Sequence, residues 1–225
     1  MKKVVIVHGW GGHLRSDWYG WLKKELELKG FSVTFPQLPD TNSPRIEKWV
    51  SALSSVVGIP DEDTYFVGHS LGCQTVARFL QTLPEGVTVG GVIFVAGFFD
   101  SLFHDEYDKD DMKTSGLWLN APIDLNKVKS HIEKSVAYFS EDDPDVPLNN
   151  KDRFEKELGS EVIVLNGYKH FNKGKLPIVL EKLVGDITQA LKKHPAAFPT
   201  PLLTSSLKGE GLLPLRATIS DLINS

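Results

Sequence analysis

Cysteine is almost missing from this 225-residue chain. Cys73 stands alone, so no internal disulfide framework can form, and a reducing compartment fits. Charge of one sign is not in excess either. The 25 Lys and Arg face 29 Asp and Glu, a net charge of −4, which gives no reason to expect nucleic acid or an anionic membrane as a partner. Long hydrophobic runs are lacking. The longest, residues 90–99, falls well short of the roughly 20 needed to span a bilayer. Met1-Lys2-Lys3 carries the charge of a signal peptide, but the apolar run behind it stops at His8-Gly9 and supplies no h-region. A cytoplasmic location is the expectation. There is no repeat and no low-complexity tract. Calcium-loop spacing is absent, and no second cluster supports zinc. Gly9, Gly11 and Gly12 do not fit the G-x-G-x-x-G of a dinucleotide site. Neither a metal nor a cofactor is expected.

What is present is a globular balance, 41% hydrophobic and 24% charged, in a length that suits one domain, or a domain plus an appendage. Near-continuous apolar runs at 3–7, 31–35, 64–67, 91–96, 135–139 and 161–165 read as strands. Helical spacing appears between them, at 18–29, 44–57, 71–83, 125–132, 148–158 and 176–193. Residues 97–125 look irregular, with an acidic stretch from Asp105 to Asp111 read as a solvated face. Apolar strands alternating with helices predict an α/β fold, a parallel six-stranded sheet with helices on both faces. Ligands collect at the carboxyl ends of such strands. His8, Ser70, Asp100, Asp143 and His170 all lie in loops directly after strands. The domain is assigned to residues 1–193. Residues 194–225, rich in Pro and Leu, read as a tail, either loosely attached or docked on the domain or on a second subunit.

Chemistry enters at Gly68-His69-Ser70-Leu71-Gly72. This matches G-x-S-x-G, a sharp strand-to-helix turn that lifts a serine Oγ above the sheet. Serine hydroxyl is a weak nucleophile and needs a base, which in turn needs an acid to orient it. The chain order Ser, acid, His is met by Ser70, the loop Asp142 to Asp145, and His170. Asp143 is the chosen acid, because Pro144 and Pro147 make a rigid turn behind it; Asp142 competes, with Asp145 and Asp100 behind. His69 should point away from Ser70, and His8 should shape its own loop. His13, His104, His131 and His194 read as loop or surface residues. The backbone N–H groups of Trp10 and Leu71 are the expected oxyanion donors. Trp118 and Phe171 are candidates for the substrate pocket, and Cys73 reads as a small core residue.

With these residues in place the chain resembles the small serine hydrolases typified by retinoblastoma-binding protein nine and the bacterial YdeN-type hydrolases. The similar stretches are residues 8–12, the run Asp17-Trp18-Tyr19-Gly20-Trp21-Leu22, Leu38-Pro39-Asp40 with Trp49, Gly68 to Gly72, Asp142-Asp143-Pro144 and His170-Phe171. The resemblance implies an α/β-hydrolase with little or no cap domain and the triad Ser70, Asp143 and His170. It also implies hydrolysis of small carboxylic esters or amides without a metal or cofactor. One family motif is broken: L-x-C-x-E, the basis of retinoblastoma binding, reads here Leu71-Gly72-Cys73-Gln74-Thr75. The partner expected is a small-molecule ester or amide, with the protein a monomer or homodimer. Two other functions fit the same residues, a non-enzymatic interaction protein on the hydrolase fold and a thioesterase or acyltransferase.

Overall fold

A computed structural model describes residues 2–103 and 107–191. The expected tail, with His194, and the stretch holding His104, Asp105 and Glu106 lie outside the described residues. Six strands form one parallel sheet: β1 (Lys3–Val7), β2 (Ser32–Thr34), β3 (Thr64–His69), β4 (Gly91–Val95), β5 (Ser135–Ser140) and β6 (Glu161–Leu165). Their spatial order is β2-β1-β3-β4-β5-β6, so the strand leading to Ser70 lies in the interior of the sheet.

Side chains on a strand alternate between its faces, and both faces here are covered. Val4 and Ile6 of β1 pack with α1 (Tyr19–Leu28) and α7 (Pro177–Leu191) through Leu22, Leu26, Val179, Leu183 and Ile187. Val5 and Val7 face the other layer. That layer holds α2 (Ile46–Val57), α3 (Leu71–Leu80), α4 (Lys109–Asn120), α5 (Leu125–Ser130) and α6 (Lys151–Lys156). Every residue of α3 is buried, so the helix behind Ser70 is enclosed on all sides.

The expected α/β architecture is present, with all six strands and both helical layers. Two differences have physical causes. The stretch 148–158 is a 3-10 turn at Leu148–Asn150 that passes into the short α6. Residues 97–125 contain α4, where irregular chain was expected. Asp108 caps α4 by accepting from the N–H groups of Asp110 and Asp111, and Asp111 returns the bond, a capping box. Only Thr114, Ser115 and Trp118 of α4 are buried, so no apolar stripe announces it. Tertiary bonds hold it instead. The Arg78 guanidinium, from α3, donates to the carbonyls of Trp118, Ala121 and Pro122, and Trp118 Nε1 donates to Pro44 O. No helix among the described residues is long and apolar enough to cross a membrane.

Candidate active site

β3 ends at His69 and α3 begins at Leu71, so Ser70 alone makes the turn. It does so at φ 52° and ψ −121°, a conformation side chains rarely adopt, and its N–H donates to Val95 O of β4 at 2.8 Å. The flanking glycines are forced by contact. A Cβ on Gly72 would stand 2.7 Å from His8 O and closer still to Val7 O; one on Gly68 would stand 2.9 Å from the Cys73 Cα. Backbone cannot yield there as a flexible side chain could.

The loop after β5 supplies the carboxylate. Asp143 Oδ1 and Oδ2 lie 3.0 and 2.9 Å from His170 Nδ1. Oδ1 also accepts from the N–H groups of Asp145 and Val146, which fixes the carboxylate from behind. Asp142 points elsewhere. Its Oδ1 accepts from Ser140 Oγ and from the N–H groups of Gly167 and Lys169, joining the β5 loop to the loop after β6 that carries His170. The Ser140 hydroxyl first, then those backbone donors, hold the Asp142 carboxyl below its ordinary value. Asp145 Oδ2 stands 3.7 Å from His170 Nδ1. Among the described residues, Asp143, Asp145 and His170 are the only acidic and histidine ligands that converge closely enough to hold a metal ion, within 4.8 Å, and two of them already bond each other.

Ser70, His170, Trp10 and Leu71 line one cleft of about 530 Å³. Among the described residues, no hydrogen bond takes up the N–H of Trp10 or of Leu71. Both therefore remain able to donate to a ligand. Apolar contact comes from Phe98 and Leu102, and carboxylates from Asp17, Asp111 and Asp145; no Lys or Arg is among the described lining residues. Burial raises the Asp17 carboxyl, His170 acting against it.

Trp118 and Phe171, expected at the pocket, are both fully buried and do not line it. Trp118 packs edge-on against Trp49 beneath α4. Phe171 turns into the layer of Leu176 and Val179, beside Tyr168. The backbone explains Phe171: it has φ 58°, which reverses the chain straight after His170 and sends the next side chain inward. Asp100, a lesser candidate for the acid, pairs with Arg153 at 3.1 Å on the surface. Tyr107 and Asp111 reach the cleft although their stretch reads as a solvated face. The Asp108-x-x-Asp111 capping spacing was the available signal, since a helix start there turns one side of the run inward.

Two more histidines are buried at the sheet edge. His8 Nε2 accepts from Leu38 N–H, so Nδ1 carries the proton and donates to Gly9 O at 2.8 Å. It shapes its loop, as its position suggested. His69 is buried at the wall of the cleft, bonded to Tyr19 Oη at 2.6 Å and to His170 O at 2.9 Å. Cys73 is buried, and burial pushes its thiol well above the ordinary range. It is a core residue.

A family model described as serine hydrolase matches residues 4–178. YdeN, a protein of Bacillus subtilis strain 168 named as a hydrolase, is 31% identical over 161 residues, which is 72% of this chain and 79% of YdeN. Its crystal structure superposes with a TM-score of 0.73 and 28% identity, covering 84% of this chain and all of that one. The serine hydrolase RBBP9 of Rattus norvegicus is 25% identical over 192 residues, 84% of this chain and 97% of RBBP9. A carboxylesterase structure from the thaumarchaeon Nitrososphaera gargenis shares the fold at a TM-score of 0.65 and 15% identity, over 86% of this chain and 92% of that one.

Proposed function

The chain belongs to the serine hydrolase family, and from that footing we propose that it cleaves small carboxylic esters or amides through an acyl-enzyme on Ser70. The observation that carries the reading is that His170, bonded to Asp143, lines the same cleft as the strained Ser70. Asp143 accepts at Nδ1, so the neutral His170 ring keeps Nε2 unprotonated and able to act as a base.

On this reading the steps are these. Ser70 Oγ attacks the substrate carbonyl while His170 Nε2 takes its proton. Asp143 stabilises the imidazolium that results. The N–H groups of Trp10 and Leu71 receive the oxyanion; losing one such donor typically costs about 10²–10³ in rate. His170 then returns the proton to the leaving alcohol or amine, and the acyl group stays on Ser70. Water, deprotonated by His170, attacks the ester and restores the serine. A cleft of about 530 Å³ with Phe98 and Leu102 in its wall suits a short acyl group. Three carboxylates, with no Lys or Arg among the described lining residues, favour neutral or cationic substrates over anionic ones.

The test is hydrolysis of p-nitrophenyl acetate and butyrate beside Ser70→Ala, with fluorophosphonate labelling of the same two proteins. Wild-type turnover and labelling that both vanish in the variant are the expected result. Full activity in Ser70→Ala overturns the mechanism.

A further inference from the structure

The loop that offers the Trp10 N–H follows β1, the loop that carries His170 follows β6, and both line the cleft. A single line of buried hydrogen bonds connects them. Gly9 N–H donates to Tyr19 Oη at 3.3 Å, Tyr19 Oη meets His69 Nδ1 at 2.6 Å, and His69 Nε2 meets His170 O at 2.9 Å. The directions are fixed by chemistry. A carbonyl oxygen only accepts, so His69 Nε2 holds the proton. Burial keeps His69 neutral, so Nδ1 is bare and must accept from the Tyr19 hydroxyl. Asp17 also approaches that hydroxyl, but the 2.6 Å contact belongs to Nδ1. The lone pairs of Tyr19 Oη are then open to the Gly9 N–H.

We infer that Tyr19 and His69 are positioning residues for the hydrolytic reaction, forming a one-directional hydrogen-bond bridge that sets the oxyanion donor of Trp10 against the base His170. The inference rests on the proposed serine mechanism. Its physical content is distance. The Tyr19 bond anchors the Gly9 N–H. The Gly9 carbonyl, in the same peptide plane as the Trp10 N–H, accepts from His8 Nδ1 at 2.8 Å and from the Gly12 N–H at 3.1 Å. Tyr19 thus steadies the segment from which the Trp10 N–H points. The His69 bond fixes the backbone from which the His170 ring hangs, while Asp143 fixes the ring itself. Ring contacts confine the bridge sideways. Trp18 lies 5.7 Å and Tyr19 5.8 Å from the His69 ring centre, and the His170 ring lies at 5.1 Å. Tyr19 and His69 also edge the cleft, but neither is needed to exchange a proton with substrate. Both act through the groups they hold. Misplacing catalytic groups by about 1 Å can cost on the order of 10²-fold.

The experiment compares Tyr19→Phe, His69→Leu and His69→Gln with the wild type on p-nitrophenyl butyrate, counting active sites by fluorophosphonate and checking folding by thermal melts. Tyr19→Phe and His69→Leu should lose about 10- to 100-fold in kcat with KM within about twofold. His69→Gln should recover much of the His69→Leu loss, because a glutamine amide N–H can reach the place of Nε2 and donate to His170 O. Wild-type kcat in folded His69→Leu or Tyr19→Phe overturns the inference. A readout free of turnover accompanies these: ¹⁵N NMR of the His69 ring in the wild type should show a protonated Nε2 and a bare Nδ1 through neutral pH. The opposite tautomer overturns the bridge even if the variants fail to fold. A wild type that neither turns over nor labels overturns the serine mechanism instead, and the NMR result still decides the bridge.

Discussion

Asp143 meets His170 at Nδ1 with both carboxylate oxygens, at 3.0 and 2.9 Å, while its neighbour Asp142 turns to the backbone of Gly167 and Lys169. Adjacent acids in one loop thus do different jobs. One orients the imidazole, and the other ties the β5 and β6 loops together.

Asp143→Asn should therefore lower kcat by about 10³–10⁴, since an amide there favours the wrong tautomer of His170. Asp142→Asn should cost kcat no more than about tenfold, through a loosened His170 loop. Steady-state kinetics on p-nitrophenyl butyrate would rank the two. A larger effect at Asp142 would reverse the roles assigned here.

Stability should fall in mild acid. Burial first, then His170, pushes the His69 pKa from 6.5 down to about 3. Burial lowers His8 as well. The unfolded chain takes up a proton at His69 below pH 6.5 that the folded chain refuses until about pH 3. The contribution is complete above 6.5 and is lost as the pH falls from there. The slope is about 1.4 kcal/mol per pH unit for one such proton. Urea midpoints should drop between about pH 7 and 5.5, and His69→Gln should flatten that dependence.

Substrate charge should matter. Asp17, Asp111 and Asp145 line the cleft with no described Lys or Arg among them. Neutral p-nitrophenyl acetate should exceed the anionic mono-p-nitrophenyl succinate in kcat/KM by about tenfold at low salt. The gap should narrow in Asp111→Asn and as ionic strength rises. Equal rates, insensitive to salt, would remove the cleft carboxylates from any account of selectivity.

Trp118→Ala should act on stability alone. The indole is fully buried against Trp49 and bonded to Pro44 O. Its loss should cost about 3–5 kcal/mol by denaturant titration. KM should stay within about twofold, because the ring is outside the cleft.

Much of this arrangement is legible in the sequence. β-branched runs such as Lys3–Val7 and Glu161–Leu165 give the six strands nearly to the residue. The interior strand β1 is buried beyond Lys3 and leaves a continuous apolar signature, while the edge strand β6 keeps its β-branched run though only half-buried. The order of Ser70, Asp143 and His170 was visible because each follows its own strand. What escaped was tertiary. α4 has a polar sequence and stands on bonds from Arg78 and a capping box, so periodicity misses it. The inward turn of Phe171 depends on one positive φ that no pattern announces. Tyr19 looked like one more aromatic of the Trp18 stretch; its link to His69 spans 50 positions in sequence.

Ser70 itself sits where glycine would rest easily. Ser70→Gly should then be more stable than Ser70→Ala by about 1 kcal/mol, measured as the difference in unfolding free energy. The same site thus sets turnover against durability. On the proposed mechanism the side chain held in that strained turn is the attacking one, so relief of strain by glycine would come with loss of turnover.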